Sequence, residues 1–346
     1  MPSPLMRAAT VGSDGIAVEH REVPQPGPHE VRVRVEACGI CGSDLHLYQY
    51  GIFPPGATPG HESAGVVDEV GPGVETVVPG ARVAIEPVRG CGHCAVCRSG
   101  RYAICRDAKI AGIHLPGGLA EYVVVPAAHV FPVADDLDPR VAALSEPMAV
   151  AIHGLRRVAF QPGHRVLVLG AGSVGLLTVA AARRLGAHDV WVSARHSHQA
   201  ELARALGATR VLDESQSGPD ALDGIGIESP IDIVVETVGG QADTLSAAVA
   251  AARPGGAISV VGVFYRELAL NPIPMLMKEL TLSWSNCYGN DPAHGQDFAE
   301  ATRAVAADRE ALALLITHSV PLAEVGRSFA LAADRRAGAV KVCVLP

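Results

Sequence analysis

The sequence predicts a two-part chain: a small barrel-like β domain and an α/β domain built on a doubly wound parallel sheet. Three observations predict it. The amino-terminal third is strand-rich and punctuated by Gly and Pro, strands alternate with helical segments from Val166 onward, and short strands return at Ala339–Leu345. At 346 residues the chain is too long for one typical core, so two domains are expected.

Each element follows from its local pattern. Glu30-Val31-Arg32-Val33-Arg34-Val35-Glu36 alternates charged with apolar residues, the signature of a strand with one buried face. Ser63–Val70 and Ala81–Ile85 are further short strands, and together they suit a small barrel-like sheet. The texture changes after Pro147. Val166-Leu167-Val168-Leu169 is a continuous apolar strand, followed by a glycine turn, an Ala/Leu-rich helix, the strand Val190–Val192 and a helix around Gln199–Leu206. Strands at Ile231–Val235 and Ala257–Val261, with a helical Asp243–Ala252 between them, continue a βαβ progression.

Composition narrows the partners. Apolar residues make up 49% and charged residues 18%, as in a well-buried globular protein. The formal net charge of -8 and the lack of a Lys/Arg block argue against a nucleic-acid partner. Apolar runs are broken before they reach membrane-spanning length, and no export-type leader precedes the first strand, so a cytoplasmic protein with no membrane partner is expected.

Four of the eight cysteines fall within fifteen residues, as Cys91-x2-Cys94-x2-Cys97-x7-Cys105. Four thiolates at this spacing close tetrahedrally around Zn2+, and a site with no vacant position contributes folding energy rather than catalysis. Gly90, Gly92 and Gly100 suit a loop that curls around an ion. Ferredoxin runs begin similarly but continue x3-Cys-Pro, whereas here the fourth cysteine comes seven residues later and is followed by Arg106.

Gly170-x-Gly172-x-x-Gly175 stands between an apolar strand and a helix, where a dinucleotide site needs it. Gly170 permits the tight turn, Gly172 lets the backbone approach a pyrophosphate, and Gly175 permits close helix packing; Ser173 and Val174 open the helix whose free N–H groups face the phosphates. An NAD site wants a carboxylate at the end of the second strand, but this one ends Val192-Ser193-Ala194-Arg195-His196-Ser197. Arg195 can grip a 2′-phosphate, with Ser193, His196 or Ser197 adding hydrogen bonds, so NADP(H) is favoured over NAD(H). Ala194, Val238, Gly262 and Val263 complete the expected cofactor-binding set.

Cys41, His61, Glu62 and Glu146 are candidates for a second, open zinc site, with Cys41 placed after a strand and before a short turn. A thiolate, an imidazole and a carboxylate hold zinc while leaving a position for water or an alcohol oxygen. Any one of them is also an ordinary core residue.

Gly39-Ile40-Cys41-Gly42-Ser43-Asp44-x-His46, Pro59-Gly60-His61-Glu62, the four-cysteine lobe, Glu146-Pro147 and Gly170–Gly175 occur in the order of the zinc-dependent medium-chain alcohol dehydrogenases, which the chain resembles along essentially its whole length. The resemblance implies a GroES-like catalytic domain at 1–148 with a structural zinc lobe at 89–106, an inserted Rossmann domain at 149–287, and a return segment at 288–346. It makes Cys41 and His61 ligands of a catalytic zinc and leaves the third ligand between Glu62 and Glu146. Glu146 stands where classical alcohol dehydrogenases have Cys, and so points to the sorbitol, threonine and glucose dehydrogenase side. Ser43 is implied to take the substrate proton and pass it through the nicotinamide ribose to His46. Asp44 reads as a turn former or as a carboxylate supporting the ligands. Cys38 is expected to face away and pack as a small hydrophobe.

The expected reaction is hydride exchange between the nicotinamide and a neutral secondary alcohol, polyol, sugar or cyclitol. Primary alcohol oxidation by the two-zinc type and quinone or enone reduction are the alternatives. A non-catalytic nucleotide binder would lack the zinc residues or the Ser43/His46 pair, all of which are present. Tyr48, Tyr50 and Phe53 line an outer pocket or cover a strand end, and Ser285-Asn286-Cys287-Tyr288 is implied to lie near the nicotinamide or a subunit contact. A homodimer or homotetramer is expected, with the apolar Leu280–Trp284 as its seam.

Overall fold

Alternation along Glu30–Gly39 organises the barrel: Val31, Val33 and Val35 are buried while Arg32, Arg34 and Glu36 form ion pairs on the other face. The structure, a computed structural model, describes residues 4–13 and 15–346, apart from the side chains of 224–228 and 335. A seven-stranded sheet runs Ile316–Pro321, Lys341–Leu345, Glu30–Gly39, Glu62–Val70, Arg82–Ile85, Val130–Pro132, and Tyr122–Pro126 pairs separately with Glu30–Gly39. Its core joins Val31, Val33, Val67, Val83 and Leu119 to Val320, Val342 and Val344 of the return segment. Register carries the return strand to the metal candidates, because Cys343 pairs with Gly39 and Gly39 pairs with Glu62.

The second sheet is parallel throughout, in the order Arg210–Leu212, Asp189–Ser193, Arg165–Leu169, Ile231–Glu236, Ala252–Val260, Thr281–Trp284. Helices such as Ser173–Arg184 and Thr244–Ala251 connect the strands, which are therefore apolar on both faces: Val166, Leu167, Val168 and Leu169 are all buried. The strand order reverses between Arg165–Leu169 and Ile231–Glu236, which places a ligand crevice at their carboxyl ends.

The chain divides into two units, Met1–Glu146 with Gly289–Pro346, and Pro147–Tyr288. The helix Ser145–Arg156 runs through the first seam. Among the described residues no helix is long and apolar enough to cross a membrane.

Candidate metal centres and cofactor-binding strand ends

All eight cysteines are free thiols. The ligand atoms of Cys91, Cys94, Cys97 and Cys105 lie within 4.8 Å of one another. Cys91 Sγ is 3.9 Å from Cys97 Sγ, and Cys94 Sγ is 3.8 Å from Cys105 Sγ. A tetrahedron with zinc–sulfur bonds of about 2.3 Å has edges of about 3.8 Å, so the sulfurs fit that ion. Glycine is needed at two of the expected positions. A Cβ on Gly90 would stand 2.6 Å from Cys97 Sγ, and one on Gly100, where φ is 80°, would stand 1.7 Å from Asn290 O. The lobe is tied to the barrel by Glu86, a buried carboxylate that accepts from Tyr102 Oη and from Gln296 Nε2 at 3.3 Å and lies 3.1 Å from His129 Nδ1.

Cys41 is the N-cap of a two-turn helix, Gly42–Gln49, where the sequence suggested only a short turn. Asp44, in its first turn, accepts from Cys41 N at 3.0 Å and so closes the free helix end. Its other oxygen lies 3.3 Å from His61 Nδ1. Asp44 is fully buried, and it both closes the first turn and backs His61, so the two expected readings meet in one residue. With Nδ1 turned to a carboxylate, His61 presents Nε2 to the site, 3.4 Å from Ser43 Oγ. Burial alone would lower the His61 pKa, but Asp44 and Cys41 outweigh it and raise it.

The ligand atoms of Cys41, His61 and Glu62 lie within 4.8 Å of one another. Glu146 opens the helix Ser145–Arg156 and is buried in the same electrostatic neighbourhood. Burial pushes its carboxyl up to about 7, against the pull of His61. A soft thiolate, an imidazole and two carboxylates form a donor set suited to zinc. Sequence reasoning missed Lys341. Its Nζ donates to both oxygens of Glu62, at 2.7 and 2.5 Å, and to Ile40 O at 3.3 Å, with every partner buried. Room for this pair comes from Gly39, where a Cβ would stand 2.1 Å from Glu62 Oε2. Cys38 is buried and accepts from Ser63 Oγ at 3.4 Å.

In the second unit Gly170 has φ 101°, and a Cβ there would strike Val238. A Cβ on Gly175 would lie 1.9 Å from Gly170 O, so helix and turn are in van der Waals contact. Gly172 differs, with open space where its Cβ would be, as close approach by a ligand requires. Ser173 Oγ is buried there without a hydrogen-bond partner among the described residues. Ser193 Oγ already accepts from Gly170 N at 2.9 Å, pinning the turn. Arg195 is exposed, and its guanidinium lies 3.2 Å from Glu214. Glu214, just after the next strand, Arg210–Leu212, thus stands beside Arg195, although the strand Asp189–Ser193 itself ends without a carboxylate.

The aromatic residues divide between two environments. Tyr48 meets Phe329 edge-on at 5.4 Å and packs against the barrel core, Phe53 is buried, and Tyr50 is exposed. In the Ser285–Tyr288 segment Tyr288 is fully buried and Cys287 has φ 50°.

A barrel with one closed and one open set of metal donors, and a parallel sheet with a dinucleotide turn, define a metal-dependent nicotinamide oxidoreductase. Residues 27–135 match the alcohol dehydrogenase GroES-like domain, and residues 173–307 match the zinc-binding dehydrogenase domain. The chain is 37% identical to an L-threonine 3-dehydrogenase of Thermococcus kodakarensis over 72% of its length and 73% of that protein's. It is 33% identical to a sorbitol dehydrogenase of Bacillus subtilis over 86% of each. A zinc-binding dehydrogenase of Sinorhizobium meliloti, solved bound to NADP, superposes with a TM-score of 0.88 at 35% identity, covering 99% of this chain and 100% of that one. The chain belongs to the zinc-binding alcohol dehydrogenase family, in its polyol dehydrogenase branch. It is accordingly an NAD(P)-dependent zinc oxidoreductase acting on alcohols.

Proposed function

We propose that this enzyme interconverts a neutral secondary alcohol, of the polyol, sugar or cyclitol class, and its ketone, with NADP(H) as the favoured cofactor. The observation that carries the reading is the convergence of Cys41, His61 and Glu62 inside the barrel, with Asp44 backing the imidazole. Cys41, His61 and Glu62 hold the ion, and Glu146 is the second carboxylate beside it. Bound zinc supplies the Lewis acidity that lowers a hydroxyl pKa, and the nicotinamide supplies the hydride acceptor. Ser43 takes the proton of the substrate hydroxyl, and His46, three residues along the same helix, exchanges it with solvent.

Gly170, Gly172, Ser173, Val174 and Gly175 receive the pyrophosphate, and Ser193, Ala194 and Arg195 the adenosine end. Arg195 is reachable by a 2′-phosphate, which would displace Glu214 from an exposed ion pair worth about 0–1 kcal/mol. The NADP-bound relative supports this preference. The segment Leu280–Trp284, which contains the edge strand Thr281–Trp284 with Trp284 exposed, is the proposed seam of a homodimer or homotetramer, and the preceding helix Pro272–Met277 exposes Leu276 and Met277.

The test is a screen of polyols, sugars, cyclitols and secondary alcohols with NAD+ and NADP+ in parallel, following reduced nicotinamide. Turnover of a polyol-class alcohol, faster with NADP+, is expected. Cys41→Ser should abolish turnover and leave one zinc per chain in the four-cysteine lobe. Inactivity towards every alcohol and ketone would sink the substrate reading, and a strong preference for NAD+ would sink the role given to Arg195.

A further inference from the structure

Glu236 ends the strand Ile231–Glu236 at the point where the strand order reverses, and its register partners are Leu169, just before the glycine turn, and Val260. It is fully buried. Its Oε1 accepts three hydrogen bonds, from Val238 N at 2.8 Å, Gly239 N at 3.0 Å and Thr244 Oγ1 at 2.7 Å. Its main-chain oxygen accepts two more, from Val261 N at 2.9 Å and Gly262 N at 3.0 Å. Its Oε2 lies under Gly262, where a Cβ would approach to 2.4 Å, and has no hydrogen-bond partner among the described residues.

One residue therefore clasps the two loops that follow neighbouring strands. The loops are also joined to each other and to the glycine turn. Gly240 N donates to Val263 O at 2.7 Å, and Thr237 Oγ1 donates to Leu169 O at 2.8 Å and to Gly170 O at 3.2 Å. A buried carboxylate is costly unless donors converge on it, and charge-assisted bonds are roughly twice as strong as neutral ones. Three donors converge on Oε1, and two of them fix the peptide planes at 238 and 239.

We propose that Glu236 is a positioning residue for the nicotinamide half of the cofactor. The proposal rests on the reading of this unit as a nicotinamide-dinucleotide site. Sheet order assigns the halves. The pyrophosphate belongs at the turn after Arg165–Leu169, the adenosine lies towards Asp189–Ser193 and Arg195, and the other half falls towards Val238, Gly262 and Val263. Among the described residues the hydrogen bonds of Glu236 go to the backbone of that second side and to the hydroxyl of Thr244, so it acts through the loops.

Calorimetric titration of the zinc-loaded full chain with NADPH and with adenosine 2′,5′-bisphosphate separates the halves. Glu236→Ala should weaken NADPH about tenfold or more while leaving the bisphosphate within about twofold. Glu236→Gln, which keeps the shape and one acceptor oxygen, should fall in between, at about threefold to tenfold for NADPH. Thr244→Val removes a single donor and keeps the test open where Glu236→Ala does not fold; a weakening of about twofold to fivefold, again confined to NADPH, is expected. Equal weakening of both ligands would reduce Glu236 to a general stabiliser and overturn the proposal, as would unchanged NADPH binding in Glu236→Gln and Thr244→Val. Failure of the unaltered protein to bind NADPH or NADH would instead remove the dinucleotide reading on which it rests.

Discussion

Lys341 Nζ bridges both carboxylate oxygens of Glu62, at 2.5 and 2.7 Å, and the two side chains are almost completely buried. Burial alone would lower the lysine pKa, but Glu62 reverses the effect and raises it, so the ammonium is retained. Breaking such a pair from one side strands a buried charge, at a cost of about 3–5 kcal/mol. Lys341→Met should therefore lower the melting temperature strongly, and Lys341→Met with Glu62→Gln should recover part of the loss. The deficit of Lys341→Met should also shrink when zinc is present, because the ion replaces the missing positive charge beside Glu62. Thermal denaturation with zinc and with chelator measures both effects. An equal deficit in the two conditions would separate Glu62 from the metal.

The glycine turn and the four-cysteine lobe were legible because each is local: spacing, a preceding strand and a following helix carry the whole argument. The Asp44 role was half legible, since its place in the first turn depends on a helix that the sequence read as a turn. Lys341 was not legible as a partner of Glu62, because the two are 279 residues apart and meet only through strand register. A signal was nevertheless present. Val340, Val342, Cys343 and Val344 surround Lys341 with apolar residues on both faces, and a lysine in such a run needs a buried counter-charge. Glu214 was not legible as a partner of Arg195 because it follows the next strand, and the parallel pairing of the two strands brings the ends together.

Thiol reactivity should separate the cysteines into classes. Burial pushes Cys38 and Cys343 up to about 12, so both are protonated and shielded near neutral pH. With zinc bound, Cys91, Cys94, Cys97 and Cys105 should resist alkylation at about pH 8, where an ordinary thiol is partly ionised. Chelation should expose the partly accessible Cys91, Cys94 and Cys97, and lower the melting temperature, while Cys38 and Cys343 stay unmodified until the barrel unfolds. Mass mapping of labelled peptides reads the outcome. Labelling of Cys38 or Cys343 in the folded, zinc-loaded protein would contradict it.

Asp232 gives a pH dependence whose sign can be worked out. Its Oδ2 accepts from Arg165 N at 2.7 Å, and its Oδ1 accepts from Arg253 Nε at 2.7 Å. Burial alone would raise the carboxyl pKa; the Arg165 N–H and the Arg253 guanidinium outweigh it and hold it below 3.8. A depressed folded-state pKa means that the unfolded chain binds the proton first as pH falls. The stabilisation is therefore complete well above the unfolded value, declines as pH drops through 3.8, and is gone below the folded value. Asp232→Asn should cost about 1–2 kcal/mol at neutral pH, a figure reduced for the partly exposed arginine. The gap between Asp232→Asn and the unaltered protein should narrow steadily below about pH 4. Urea denaturation at a series of pH values measures that difference directly. A gap that is constant down to the acid limit, or that widens on acidification, would show that the aspartate acts through shape rather than charge.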